Sequence, residues 1–512
     1  MKKQMLIFIV LFSALRISAQ TPGCVDSSFG GAGYVTTHIF DLDNQGNAVE
    51  LQSDGKILVA GSAKNDTLTS FALIRYNADG TLDPSFGTGG IATPYFGNVT
   101  NVANALTIQS DQKIIAGGYA RTGTKTSFCL ARYEANGILD PSFGTGGIIS
   151  TPLGLYDSKV NSVAIQQDGK IIAGGYAYYT SNSFVMVRYK TNGSIDSTFG
   201  INGVSVSMPG EYEAMINAIK LLSNGKILAV GKSLVASKDV FALARYNSNG
   251  MIDSTFGING YRVQDINHLG NMGYAADIQP DGKILMAGNT FNGSCWVFAV
   301  MRFNDNGSLD TLFGNKGIDT LKIGQKGGEA YGVKVQNNGK IVVTGYSTTN
   351  LGNYTFATIR LKPDGAIDSA FGNAGVVISS LSNDDGAYSL ALQPDGKIVV
   401  VGVSKNSIAY YYDVTLFRYF GDATPIGINE IISGDGFGLY PNPAGITISI
   451  ESSSHGSGNS TVSIYDIRGN LVIEASLKAD ITKLDIHKLS KGLYIAKINK
   501  GENIRMIKFI KE

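Results

Sequence analysis

The sequence predicts an all-β fold: a seven-bladed β-propeller closed by its own N-terminal strand, followed by a small C-terminal β-sandwich. Three observations carry that reading. One unit of sequence recurs seven times, with its Phe-Gly mark at Phe29, Phe86, Phe143, Phe199, Phe256, Phe313 and Phe371, spaced 56 to 58 residues apart. Each unit holds four short apolar runs separated by turn signals. The last unit lacks its final part, and the chain begins with that part: Val25-Asp26-Ser27-Ser28-Phe29-Gly30, then Tyr34 to Thr37.

Residues 1–19 read as a secretory signal, with Lys2 and Lys3 ahead of an apolar stretch from Met5 to Leu15 and a small-residue cleavage site at Ile17-Ser18-Ala19. That stretch is too short to span a bilayer, and no later one is longer. Residues 20–420 hold the repeats. The second unit shows the order of strands: Asn104 to Gln109 alternates, Lys113 to Gly118 and Phe128 to Tyr133 are nearly continuous apolar runs, and Ile148 to Thr151 is short and mixed. Continuous runs suit strands covered on both faces, so the second and third strands are central and the first and fourth flank them. Small residues in the first strand (Ala48, Ala105, Ser162, Ala218, Ala275, Gly332, Ser389) fit the crowding at a propeller axis and make it innermost. A terminal strand that completes the last blade removes open sheet edges, which disfavours an open solenoid.

The period is lost after Phe420. Residues 421–436 read as a linker, and 437–512 as a different all-β segment with alternating runs and a turn at Arg468-Gly469-Asn470. Net charge is +1, so no general attraction to nucleic acid or anionic membrane is expected. Three cysteines, Cys24, Cys129 and Cys295, are too few and too scattered for a disulfide framework, so stability must come from packing.

Catalytic signatures are sparse. The four histidines fall in different units, no nucleophile elbow or Walker loop occurs, and neither a metal site nor a cofactor is read from the spacing. Asp41 to Gly46 has calcium-loop character but lacks an oxygen side chain at its fifth position and a distant bidentate Glu. The repeated Arg (Arg75, Arg132, Arg188, Arg245, Arg302, Arg360, Arg418) and Asp (Asp83 and its equivalents) read as structural pairs rather than seven binding sites, because a buried charge needs a partner.

Positions that break the repeat are better functional candidates. Linkers between blades carry Asp157, Glu211, Glu213, Asp265, Glu329, Asp384 and Asp385. Loops on the same face carry aromatics, among them Tyr179, Trp296 and Tyr354. Acids and exposed rings around a funnel suit a glycan or protein ligand, since rings stack on apolar sugar faces and anchor partners. These residues nominate a binding or adhesion module; the alternatives are a glycan-acting hydrolase using the linker acids, or a purely structural surface protein.

The repeat resembles the delta-60 repeat of exported bacterial proteins, a resemblance that covers about Val25 to Tyr419 and brings no catalytic residues. The C-terminal segment resembles the sorting domain of the type IX (Por) secretion system, through Leu439-Tyr440-Pro441-Asn442-Pro443, Val462-Ser463-Ile464-Tyr465-Asp466, Gly469, Leu484-Asp485 and Leu489 to Ile495 with Gly492, Leu493 and Tyr494. That resemblance implies passage across the outer membrane by the type IX machinery and a mature protein that is released or held at the cell surface.

Overall fold

A computed structural model describes residues 21–94, 96, 99–406, 410–422, 437–440, 444–452, 460–466, 470–477, 481–500 and 503–511. The expected signal at 1–19, Pro441-Asn442-Pro443 and Gly469 lie outside the described residues. The chain forms two compact units, Met1–Ala423 and Thr424–Glu512.

The first unit is built from antiparallel four-stranded arrays in the manner of propeller blades, the first two of them joined by a single parallel pair, Thr69 opposite Thr100. In the third repeat, for instance, Ser158–Ile165, Ile171–Tyr178, Asn182–Tyr189 and Val204–Ser207 lie side by side in chain order. The second strand of that sheet is buried along most of its length and the third along all but its first residue, while the first and fourth alternate. The last sheet is completed from the other end of the chain: Tyr34–Thr37 pairs with Tyr412–Tyr419, Tyr34 opposite Phe417 and Thr37 opposite Val414. Val49, Ile57 and Val59 of the first repeat share a core with Val399, Val401, Val414 and Leu416 of the last.

Each repeat is joined to the next by one polar corner. In the second, Arg132 Nε donates to Asp140 Oδ2 at 2.7 Å, and Asp140 Oδ1 accepts from Ser142 N and Oγ. The guanidinium lies 4.5 Å over the Phe143 ring, and its Nη1 donates to the Thr191 carbonyl of the next repeat. Lys113, which ends the Asp111-Gln112-Lys113 turn between the first and second strands, reaches the same Asp140 oxygen at 2.7 Å. The Phe-Gly mark forms a hook: Gly144 N donates to Asn192 O of the following turn, as Gly87 N does to Asn136 O. Gly137 in that following turn sits at φ 86°, and a Cβ there would come within 2.9 Å of the Phe86 ring. Both its backbone conformation and the close approach therefore demand glycine.

The same corner closes the ring. Arg418 Nε donates to Asp26 Oδ2 at 2.8 Å, Gly372 N to Pro22 O, and Gly30 N to Asp79 O. At the sixth repeat no turn carbonyl follows, and the Asp422 carboxylate stands in, 2.8 Å from Arg360 Nη2 and 2.9 Å from Lys340 Nζ. The first unit thus runs through Gly421 and Asp422, two residues that composition alone assigns to the linker.

In the second unit, Phe437–Tyr440, Thr447–Ser452 and Ile481–Asp485 form one sheet, and Ser460–Asp466, Leu471–Leu477, Gly492–Lys500 and Asn503–Lys511 another. Ile448, Ile450 and Leu484 from the first meet Val462, Ile464, Tyr494, Ile498 and Phe509 from the second in one core. Tyr494 donates to Ser490 O at 2.9 Å and stacks on Phe509, while Leu493 points outward. Tyr465 and Asp466 end their strand, and Asp466 Oδ1 accepts from Asn470 N to shape the turn. All three cysteines are free, and burial pushes the Cys129 thiol up to about 12, leaving it inert.

Two outcomes are expected of the corner. Asp26→Ala strands the buried Arg418 charge and should cost about 3–5 kcal/mol, as breaking a buried pair does; a urea midpoint equal to that of the unmutated chain would remove the corner from its central role. Burial raises the Asp83 and Asp196 carboxyls, but hydrogen bonds from Ser85 and Thr198 and the neighbouring Arg and Lys charges outweigh it and lower both to about 2. Their stabilisation is complete above the unfolded value near 4 and is lost as pH falls through 2. Thermal melts should therefore be flat from pH 7 to about 4.5 and fall steeply below.

Candidate functional site

The innermost strands carry one irregularity in every repeat. Pairing with the second strand skips one residue, as between Val160 and Ser162, so that Asn161 is left opposite nothing. The bulged positions are Asn47, Asn104, Asn161, Asn217, Tyr274, Tyr331 and Tyr388. A bulge re-aims its side chain, and here all seven line an axial cavity of about 480 Å³ together with the small residues that follow them.

That ring is asymmetric. The four asparagines form a girdle, each Nδ2 donating to a carbonyl of the next repeat: Asn47 to Ala103, Asn104 to Val160, Asn161 to Ile216 and Asn217 to Gly273, at 2.7–2.9 Å. The three tyrosines replace the girdle with rings, Tyr274 and Tyr331 at 4.6 Å between centroids and Tyr331 and Tyr388 at 5.7 Å. Tyr346 lies 5.9 Å from Tyr331 and 4.8 Å from Tyr354, extending the rings outward.

Beside this aromatic arc is a cavity of about 230 Å³ lined by Gln45, Tyr331, Tyr346, Tyr354, Asp384, Asp385, Gly386, Tyr388, Val403 and Tyr412. Tyr331 donates its hydroxyl to Glu329 Oε2 at 3.0 Å. Burial pushes the Tyr331 and Tyr346 hydroxyls upward, and the Glu329 carboxylate adds to it; burial and then the Asp384 charge do the same at Tyr412. These phenols stay protonated at neutral pH, so they offer hydrogen-bond donors and ring faces, not bases. Asp384 pairs with Lys405 Nζ at 3.3 Å, and that ammonium lies 6.0 Å over the Tyr412 ring. Asn289, buried beside the Tyr274 hydroxyl, has no well-formed hydrogen bond on either side-chain atom.

The acids nominated from sequence divide into two groups. Glu329, Asp384 and Asp385 come together at the aromatic arc with Tyr354. Asp157, Glu211, Glu213 and Asp265 do not; each holds a donor of its own or the preceding repeat. Asp157 accepts from Thr126 Oγ1, Glu211 from Ala236 N, and Glu213 from Asn182 Nδ2. Asp265 accepts from His268 N and Asn271 Nδ2. Tyr179 packs on the core of its repeat, and Trp296 sets its edge against Phe291 at 5.5 Å. Asp385 is also a loop anchor: it is 2% exposed and accepts from Ser380 Oγ, Leu381 N and Ser382 N and Oγ. Gln45, Tyr331, Tyr346, Tyr388 and Tyr412 were not nominated. The change from Asn to Tyr at one repeat position was the signal that could have found three residues of the arc, Tyr274, Tyr331 and Tyr388.

Residues 438–512 match the secretion system C-terminal sorting domain. Seven segments, 52–86, 109–143, 166–199, 222–256, 279–313, 336–371 and 393–424, match a β-propeller domain of unknown function, DUF5122. No curated protein matches the chain. Among solved structures, the polysaccharide lyase Uly1 is 10% identical, with 79% of this chain and 98% of that one covered, at a TM-score of 0.43. PorZ, a surface component of the type IX secretion system of Porphyromonas gingivalis, is 11% identical over 91% of this chain and 81% of its own, at 0.22. Chaetomium thermophilum Sqt1, bound to the N-terminus of a ribosomal protein, is 11% identical over 81% and 95%, at 0.39. Nothing about activity follows from likeness this distant.

The division of the acids has a measurable consequence. Asp385→Ala leaves several loop donors without an acceptor and should destabilise the first unit by about 1–3 kcal/mol, whereas Asp157→Ala, which loses one partly exposed bond, should stay within about 1 kcal/mol. Equal shifts in urea denaturation would contradict the division.

Proposed function

From a chain that carries a β-propeller repeat array ahead of a secretion sorting domain, we propose a seven-bladed, exported binding module that takes a saccharide at the aromatic arc of its sixth and seventh blades. The observation that supports it is the cavity of about 230 Å³ walled by five tyrosines and edged by Asp384 and Gln45. Tyrosine faces stack on the apolar faces of sugar rings while carboxylates and amides accept from the hydroxyls. Sites for drug-sized ligands occupy about 300–1,000 Å³, so this one suits a single sugar unit of a longer chain. The sorting domain delivers the module to the cell surface or the medium through the type IX machinery.

A glycan-acting hydrolase is the second reading, with Asp384 of the cavity lining and Glu329, bonded to the lining Tyr331, as its carboxylates. Glycoside hydrolysis uses two carboxyls about 5 to 10 Å apart, one of them protonated. Here Glu329 accepts from Tyr331 and Asp384 is paired with Lys405, an arrangement that serves binding better than proton transfer.

The full chain should retain members of a broad glycan array, and Tyr354→Ala or Tyr412→Ala should weaken retention about tenfold or more while Tyr179→Ala does not. Release of reducing ends, abolished by Glu329→Gln, would replace the binding reading with the hydrolase. Deleting residues 437–512 should leave the protein inside the outer membrane, as fractionation and immunoblotting would show; undiminished surface or medium protein would dissociate this domain from export.

A further inference from the structure

The charges that line the 230 Å³ cavity are one-sided, whereas the axial cavity that Tyr331 and Tyr388 also line holds Lys220 and Lys334 with Glu50. Asp384 and Asp385 line the cavity, Glu329 holds the Tyr331 hydroxyl at its edge, and no lysine, arginine or histidine is among the lining residues. Asp385 is satisfied by neutral donors, and Glu329 by a phenol, so neither carboxylate has a cationic partner among the described residues. Lys405 stands beside the cavity, shared between Asp384 and the Tyr412 ring.

Tyrosine faces carry negative quadrupole charge and attract cations, most strongly where water is excluded. Among the described residues this attraction occurs at two tyrosines: Lys405 lies 6.0 Å over Tyr412, and Lys159 lies 4.5 Å over Tyr119. The environment of the arc is therefore one in which an ammonium group rests against a ring with a carboxylate behind it. A uronate or sulfated sugar would meet Glu329, Asp384 and Asp385 as like charges. A neutral sugar would stack on the rings and leave their electrostatic attraction for cations unused.

We infer that the saccharide bound at the arc is an amino sugar with a free ammonium group, held between the faces of Tyr346, Tyr354 and Tyr412 and the Asp384 carboxylate. This rests on the saccharide reading above and narrows it to one class. The ammonium displaces Lys405 from Asp384, while the hydroxyls of the same ring meet Gln45 and the phenols. Tyr331 and Tyr388, packed against each other at the inner end, form the floor.

Isothermal titration of the full chain at pH 6 with three probes separates the outcomes: a glucosamine oligomer, its fully N-acetylated counterpart, and choline. The expected result is binding of the glucosamine oligomer at least tenfold tighter than its acetylated form, with choline competing. Tyr354→Leu, at a half-exposed ring whose loss leaves the fold intact by thermal melt, should weaken the glucosamine oligomer about tenfold, and Asp384→Asn at least as much. Equal affinity for the free and acetylated oligomers would overturn the ammonium inference and leave the saccharide reading standing. Choline binding with no oligomer bound would uphold the ammonium cage and overturn the saccharide. Silence with all three would overturn both.

Discussion

The Arg–Asp corner is the interaction on which the rest of this structure depends. A propeller must join like sheets side by side without strands that cross between them, and each sheet alone has one apolar face too many to be stable in water. In the second repeat, Arg132 donates to Asp140 and Ser142 of its own repeat, lies over Phe143, and donates through Nη1 to a carbonyl of the next. A single side chain thus fixes the turn of one repeat and the distance to its neighbour. Breaking such a pair is far more damaging than replacing it whole, because the orphaned charge stays buried.

Because closure uses the same corner, the two ends of the repeat array are not interchangeable with solvent-exposed tails. Asp26 and Arg418 are separated by most of the chain, yet their geometry matches that of Arg132 and Asp140 within a repeat. At the sixth repeat the Asp422 carboxylate pairs with Arg360 Nη2, while Nη1, the atom that meets a neighbouring carbonyl elsewhere, has no hydrogen-bond partner among the described residues. The repeated corner also frees other positions. With the spacing of the sheets secured at the rim, the bulged residue of the innermost strand is released from pairing and can be Asn in four repeats and Tyr in three. The aromatic arc is where the repeat's structural demand is weakest and its sequence departs from itself.

Periodicity disclosed the all-β architecture, the order of strands in a sheet and the borrowed N-terminal strand, because each of these is enforced by the same residues in every unit. The structural role of the repeated Arg and Asp followed from the same logic. Acids in the interblade linkers were visible as departures from the repeat, but composition could not separate Asp384, which faces the cavity, from Asp157 or Glu213, which satisfy neighbouring loop donors. Hydrogen bonding to residues 31 positions away decides that for Asp157 and Glu213, and it leaves no signal in the acids themselves. Tyr331, Tyr346, Tyr388 and Tyr412 come from two repeats and from three different positions within them, so no spacing along the chain announces that they meet.

The sequence by itself determined the repeat, its closure and the separate C-terminal domain, since these rest on patterns of apolar residues and turn-forming glycines that act locally and recur. Only the tertiary structure decided where a ligand can sit. A bulge is a mismatch between two strands and cannot be read from one of them, and a cavity is the space left when side chains from neighbouring blades fail to fill the gap. Both arise from non-local packing, which is why the arc of tyrosines appears only once the sheets are set around their axis.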